Sequence, residues 1–310
     1  MGFMVYSNWV KKEVGYMEKL DKPLPSTNTA SLYSDSKHLL TVNSSTSVQP
    51  NVLLRTGVFT PVGRRTNISD VKSQDLSQDL VSLDLCQKEG YDSVTVKGQR
   101  LNIETDFKVW CGIVLVFSKF GYSSNTVKLS FAEFAKSCGY PSRRFDKNLR
   151  RQIGESLERI QSQSLSFRRK NTEKAVHTGM LLRAMYDGDA DLVELMADET
   201  LWDLYRVDYQ VLVSLRVLEK LPRAEVAQCL YLYFTSLPNN PHPVSFERLR
   251  DRLRLETTKK EANRKIKAGI NKLESIGYLS GYFTAKNGEQ YYIIDQRHKK
   301  LEAAIADVLF

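Results

Sequence analysis

Cysteine and histidine are scarce in this sequence, and neither is arranged for chemistry. Cys86, Cys111, Cys138 and Cys229 stand far apart, and none belongs to a C-x-x-C pair. Three of the four have apolar neighbours, so buried free thiols in a reducing compartment are expected, and with no Cys or His pair at ligand spacing a zinc site is not. His38, His177, His242 and His298 are equally isolated, which leaves no pair to hold a metal for DNA nicking. No G-x-x-x-x-G-K-[ST] phosphate loop occurs, which argues against an ATP-driven motor. No apolar run approaches the ~20 residues that span a bilayer. The opening stretch Met1–Tyr6 is apolar but short, with its lysines behind it, unlike a signal peptide. Tyr6 stands where N-myristoylation wants Ser or Thr. The expectation is a cytoplasmic protein with no catalytic residues, no cofactor, no metal and no membrane partner.

What is present is apolar residues for cores and an excess of positive charge. Apolar residues make up 42% of the 310 and charged residues 26%, enough for two globular domains. The net charge of +9 points to an anionic partner, nucleic acid first.

Residues 1–50 read as a largely flexible extension, because Pro23, Pro25 and the polar stretch Ser26–Ser47 build little core. Val52–Phe59 reads as a strand, Arg64–Asp70 as a loop, Leu76–Gln87 as an amphipathic helix and Ser93–Val96 as a short strand. A buried helix is expected over Thr105–Phe120, then a strand at Val127–Leu129. Ser130 caps a helix running to Ser137, and Ser142 caps a longer one from Arg143 to Gln161. Strands are expected at Leu165–Arg168, Met180–Tyr186 and Leu192–Met196. Farther on, Tyr209–Lys220 and Ala224–Ser236 read as helices. Ser245 caps a short helix to Leu253, and a long one spans Thr258–Ile276. Strands at Tyr278–Thr284 and Tyr291–Ile294 flank Asn287-Gly288, a strong hairpin turn. Arg297–Leu309 reads as a terminal helix. The tyrosine pair Tyr291-Tyr292 invites a strand-opening nucleophile, but with no ligand cluster nearby, packing within a strand is expected.

The two halves superpose. Leu129-Ser130-Phe131 matches Val244-Ser245-Phe246 at a constant offset, as do Phe134 with Leu249 and Cys138 with Leu253. One residue later in offset, Leu157 matches Leu273 and Ile160 matches Ile276. Each copy orders a short helix, a turn, a longer helix and a hairpin. The expected fold class is therefore α+β, with tandem duplicated winged-helix domains, each a helix-turn-helix with a β-wing. The expected boundaries are 51–205 for the first, 206–296 for the second and 297–310 for the C-terminal helix.

The charge is concentrated on these helices. In the second long helix Ala262, Ile266, Ile270, Leu273 and Ile276 form the apolar side. Lys260, Arg264, Lys267 and Asn271 form the opposite side. Arg and Asn are the side chains that bond bidentately to guanine and adenine in the major groove. Arg252 and Arg254 before the helix, and Lys286 on the hairpin, extend this expected DNA-binding set. In the first copy Arg144, Lys147 and Arg151 face outward and Arg168 and Arg169 follow. With no amide among them, phosphate contact rather than base reading is expected. Between the copies Asp187, Asp189, Asp191, Glu194, Asp198, Glu199 and Asp203 form an acidic belt, expected to be a solvated edge facing away from DNA.

Several separated stretches also share the order of a known family. Leu53–Pro61 (LLRTGVFTP), Arg100–Trp110 (RLNIETDFKVW), Leu129–Gly139 (LSFAEFAKSCG), Tyr231–Pro238 (YLYFTSLP) and Ile276–Leu279 (IGYL) resemble the RepA initiators of RepFIB-type plasmids and related plasmid prophages. The resemblance runs over roughly residues 40–295. It implies two winged-helix domains on repeated origin DNA (iterons), control of plasmid copy number and a monomer–dimer equilibrium in which the monomer initiates. It also implies a host replication initiator, a helicase and chaperones as partners. A winged-helix transcriptional repressor shares every DNA-binding feature above, and a rolling-circle nicking enzyme is the alternative from another class.

Overall fold

A computed structural model gives the fold. It describes residues 45–62, 72–75, 91–120, 125–169, 175–188, 190–198, 201 and 210–297, with short pieces at 31–32, 39–40 and 42–43. The loop expected at Arg64–Asp70 and the helix expected at Leu76–Gln87 lie outside the described residues, as do 298–310.

The chain enters the core earlier than residue 50. Strand β1 (Thr46–Pro50) is buried along its length and pairs antiparallel with β11 (Gln210–Ser214). The expected extension over 1–50 therefore yields its last residues to a sheet. The same pairing corrects the helix expected at Tyr209–Lys220, since only α5 (Leu215–Glu219) is helical there. Val211 and Val213 alternate inward, and these β-branched residues accept the strand once a remote partner is present.

Val52–Phe59 shows the opposite exchange. It forms a one-turn helix, α1 (Asn51–Arg55), followed by β2 (Phe59–Thr60). Val52, Leu53, Leu54 and Val58 are all buried, so no two-residue alternation exists to sustain a strand. Gly57 turns the chain with φ +60, and a Cβ there would lie 2.5 Å from the Arg252 carbonyl oxygen.

The first unit then adds β3 (Lys72–Asp75), β4 (Ser93–Gly98), β5 (Leu101–Asn102) and the buried helix α2 (Asp106–Phe120). Next come β6 (Thr126–Ser130), α3 (Phe131–Ser137) and α4 (Lys147–Gln161). Ser130 closes a full capping box with Glu133. Ser142 starts only a three-residue 3-10 turn, and Asp146 is the cap of α4, accepting from Leu149 N at 2.8 Å. Asp106 is fully buried at the head of α2 and takes two bonds from Arg159 (Nε 3.0 Å, Nη2 2.8 Å) and one from Ser156 Oγ (2.6 Å). That cluster locks α4 across α2.

Beyond α4 the expected strand pairing changes. The partner of β7 (Ser164–Arg168) is β8 (Ala175–Gly179), inside a sheet of order β8–β7–β4–β3. The second expected strand starts at Arg183, because Met180 and Leu181 turn into the core. This β9 (Arg183–Asp187) pairs with β10 (Leu192–Met196), which pairs with β6.

The second unit is α6 (Glu225–Thr235), β12 (Val244–Ser245), α7 (Phe246–Leu253), α8 (Lys259–Ser275), β13 (Leu279–Lys286) and β14 (Glu289–Arg297). Its sheet order is β12–β14–β13. Asn287 (φ +53) and Gly288 (φ +74) make the hairpin turn, as their sequence requires. Arg297 closes β14 rather than opening a helix, and donates to the carbonyls of Phe234, Leu237 and Pro238. The units share one continuous apolar core, and Arg55 on α1 donates to the Ser236 carbonyl beside it.

Candidate nucleic-acid interface

Helix α8 is built as an amphipathic rod. Thr258 caps it, accepting from Glu261 N at 3.3 Å. Ala262, Ile266, Gly269, Ile270 and Leu273 are buried, at helical spacing. Lys260, Arg264, Lys267 and Asn271 all lie on the exposed side, joined by Lys259 and Lys272. Arg264 is engaged side-on by Glu261, with Nε to Oε2 at 2.8 Å and Nη2 to Oε1 at 2.7 Å. Each partner's charge favours the other's ionised form, so the Glu261 carboxyl lies below the usual range through the Arg264 bond.

The hairpin is fixed to this helix. Lys267 Nζ sits 5.0 Å from the centroid of Phe283 on β13. Glu289, at the start of β14, receives Lys259 at 3.0 Å and Arg250 at 3.3 Å. Burial opposes its charge, yet the bonds from Lys259 and Arg250 hold its carboxyl below the usual range. Lys286 is exposed beside the turn, and Tyr282, which the sequence reading passed over, is 53% exposed on the same strand. Its signal is an aromatic at an outward position of an amphipathic strand.

Two members of the expected set are elsewhere. Arg252 is 4% exposed, with its guanidinium 5.2 Å from the Tyr233 ring centroid. Arg254 caps the end of α7 with left-handed backbone, and burial, helped by the charge of Arg100, pushes its pKa down to about 10. Arg252 packs against α6 and the Gly57 turn of the first unit, and Arg254 lies against Arg100. Neither joins the exposed face of α8.

On α4 the buried side is Leu149, Ile153, Leu157 and Ile160. Arg144, Lys147 and Arg151 are exposed; Arg144 rests 5.7 Å from the Tyr140 ring and Arg151 stands 3.9 Å from Glu155. Asn148 is exposed among them. The reading that no amide lies with these cations is therefore corrected, since Asn148 directly follows Lys147 on the outward arc. Arg168 is exposed and Arg169 half-buried, 5.7 Å from the Tyr91 ring. They end β7, in the four-stranded sheet, and not the hairpin β9–β10 that pairs with β6.

The acidic belt is largely tied down within the fold. Glu194 pairs with Lys128 at 2.9 Å, Asp191 with Arg150, Asp198 accepts from Gly179 N at 2.8 Å and Asp187 from Ala190 N at 3.0 Å. Glu194 is buried, not solvated. Asp189, Glu199 and Asp203 lie outside the described residues. Among the described residues no group of His, Cys, Asp and Glu is placed to hold a metal, and no helix is long and apolar enough to cross a membrane. Cys111, Cys138 and Cys229 are buried free thiols, and burial pushes Cys111 up to about 12. Tyr292 is buried and donates to Glu274 at 2.7 Å, a packing role.

Comparison with known proteins adds four findings. The family described as "Initiator Replication protein, WH1" matches residues 71–235. The chain is 47% identical over 264 residues to "Protein RepA" of Escherichia coli, covering 84% of this chain and 91% of that one. It is 37% identical over 270 residues to "RepFIB replication protein A" of Escherichia coli, covering 85% and 83%. Among solved structures, domains 2 and 3 of RctB match with a TM-score of 0.51 at 14% identity, over 79% of this chain and 98% of that one, a likeness of fold.

Proposed function

Since the chain belongs to the initiator replication protein family, we propose that it starts plasmid replication by binding repeated origin sequences through two winged helices, without catalysis. The observation that carries this is α8: one side fully buried, the other presenting Lys260, Arg264, Lys267 and Asn271 together. Such a face suits a major groove, with Arg and Asn for base edges and Lys for phosphates.

We read the two units as a tandem duplication. In one, β6–α3–α4 leads to the hairpin β9–β10, and β6 pairs with β10. In the other, β12–α7–α8 leads to β13–β14, and β12 pairs with β14. The strand before the first helix pairs with the far strand of the wing in both. The hairpin β7–β8 is then an insertion between recognition helix and wing. In this reading Arg168 and Arg169 sit beside the first winged helix rather than on its wing.

Self-association and the host initiator, helicase and chaperones enter as further proposals, with copy control following from the dimer. Leu182, 60% exposed at the head of the edge strand β9, is a candidate dimer contact. The deciding experiment is a titration of the full chain on direct repeats from the DNA beside its gene and on scrambled DNA of equal length. Preference for the repeats is expected. A preference for a single palindrome favours the repressor reading, and cleavage of supercoiled DNA with magnesium or manganese favours a nicking enzyme.

A further inference from the structure

Between β3 and the turn joining α7 to α8 lies an open cleft of about 660 Å³. Arg100, Arg250, Arg254 and Lys259 line it together with Asp75, Asp251 and Glu256. Nε and Nη2 of Arg254 are both buried without a hydrogen-bond partner. Together they form the side-on edge of a guanidinium, which matches two oxygens of one anion. Elsewhere in this molecule that edge is satisfied by a carboxylate: Asp106 on Arg159, and Glu261 on Arg264.

Arg100 makes the imbalance sharper. It is 3% exposed, donates to the Arg254 carbonyl at 3.2 Å and to Glu256 at 2.5 Å, and keeps its own Nε unpartnered. Two desolvated guanidiniums thus stand side by side, and Glu256 bonds to Arg100 rather than to the Arg254 edge. A guanidinium keeps its proton in proteins, so deprotonation does not relieve the pair. An oxyanion does, and Lys259, which also pairs with Glu289, adds a cation at the rim.

We propose that this cleft binds a phosphate group, side-on at Arg254 with Arg100 and Lys259 flanking. Because these two nitrogens are buried, binding requires the Arg254 side chain to reorient toward the cleft. The phosphate comes either from the DNA backbone, since Lys259 opens α8, or from solution as a free ion. Only the first source rests on the origin-binding reading.

Two variants separate the sources. Arg254→Gly removes the guanidinium and suits the left-handed backbone at this cap, where glycine is the favoured residue. Arg254→Lys keeps the charge without the two-donor edge. Thermal unfolding of the full chain is measured in inorganic phosphate and in chloride at equal ionic strength. Titrations on origin DNA follow across salt concentrations. A free-ion site gives a saturable rise in Tm of about 2 °C or more in phosphate for the parent chain, lost in both variants. A backbone-phosphate site leaves Tm unmoved and makes the log–log salt slope shallower by about 0.9 in Arg254→Gly. A phosphate effect retained in both variants is general salting and, with an unchanged slope, overturns the proposal. Absence of specific DNA binding by the parent chain sinks the origin reading but leaves the Tm comparison to decide the free-ion site.

Discussion

Glu261 holds Arg264 by both oxygens, 2.7 and 2.8 Å away, one helical turn inside the start of α8. On the proposed reading, the side chain assigned to guanine is thus held by a carboxylate for which DNA must compete. The exchange costs little, because Arg264 is 72% exposed and exposed ion pairs contribute only about 0.2–1 kcal/mol. Glu261→Gln is therefore expected to tighten binding on the specific site, by less than about tenfold, through loss of that competition and of a negative charge near phosphate. Fluorescence anisotropy on origin DNA measures it; weaker binding would show that Glu261 orients Arg264 rather than restrains it.

Base reading and phosphate contact separate by specificity. Arg264→Ala or Asn271→Ala is expected to cost about 1–3 kcal/mol on the specific site and much less on scrambled DNA. Paired titrations of each variant decide this. Full retention of discrimination by both variants would remove α8 as the reader.

The first helix carries its own contrast. Lys147→Ala and Arg151→Ala are expected to weaken specific and scrambled DNA by similar factors, because phosphates are alike everywhere. Asn148→Ala distinguishes the roles of α4. A loss confined to specific DNA makes α4 a second base reader, whereas an equal effect on both DNAs keeps it on the backbone.

Salt reports the number of phosphates engaged. Exposed cations on α4, α8 and the hairpin are expected to give a steep fall of affinity with salt, with a log–log slope of about −0.9 per phosphate. Lys286→Ala should make that slope shallower by about one contact if the hairpin touches DNA. A flat response in the parent chain would contradict an electrostatic face altogether.

The lock between α2 and α4 has a stability consequence independent of DNA. Asp106 is fully buried, and Arg159 is 14% exposed. Asp106→Ala leaves that guanidinium and the Ser156 hydroxyl without their acceptor, at an expected cost of about 3–5 kcal/mol in urea unfolding. A loss below about 1 kcal/mol would show that water replaces the carboxylate without penalty.

What the sequence determined by itself was local. The caps at Ser130 and Ser245, the turn at Asn287-Gly288 and the two-sided character of α8 each depend on residues within a few positions of one another. Capping bonds, left-handed turn residues and helical periodicity are short-range physics, so the order of residues suffices to read them. Only the tertiary structure decided the rest. Gln210–Ser214 becomes a strand because Thr46–Pro50, remote in sequence, offers it hydrogen bonds. Arg252 and Arg254 read as surface cations until the first unit covers the end of α7 and turns them inward. Asn148 was always legible as an outward residue of α4, and was missed only by attending to charge. Whether a strand finds a partner, or a cation meets solvent, depends on which distant segment arrives against it, and that is a property of the folded chain rather than of its neighbouring residues.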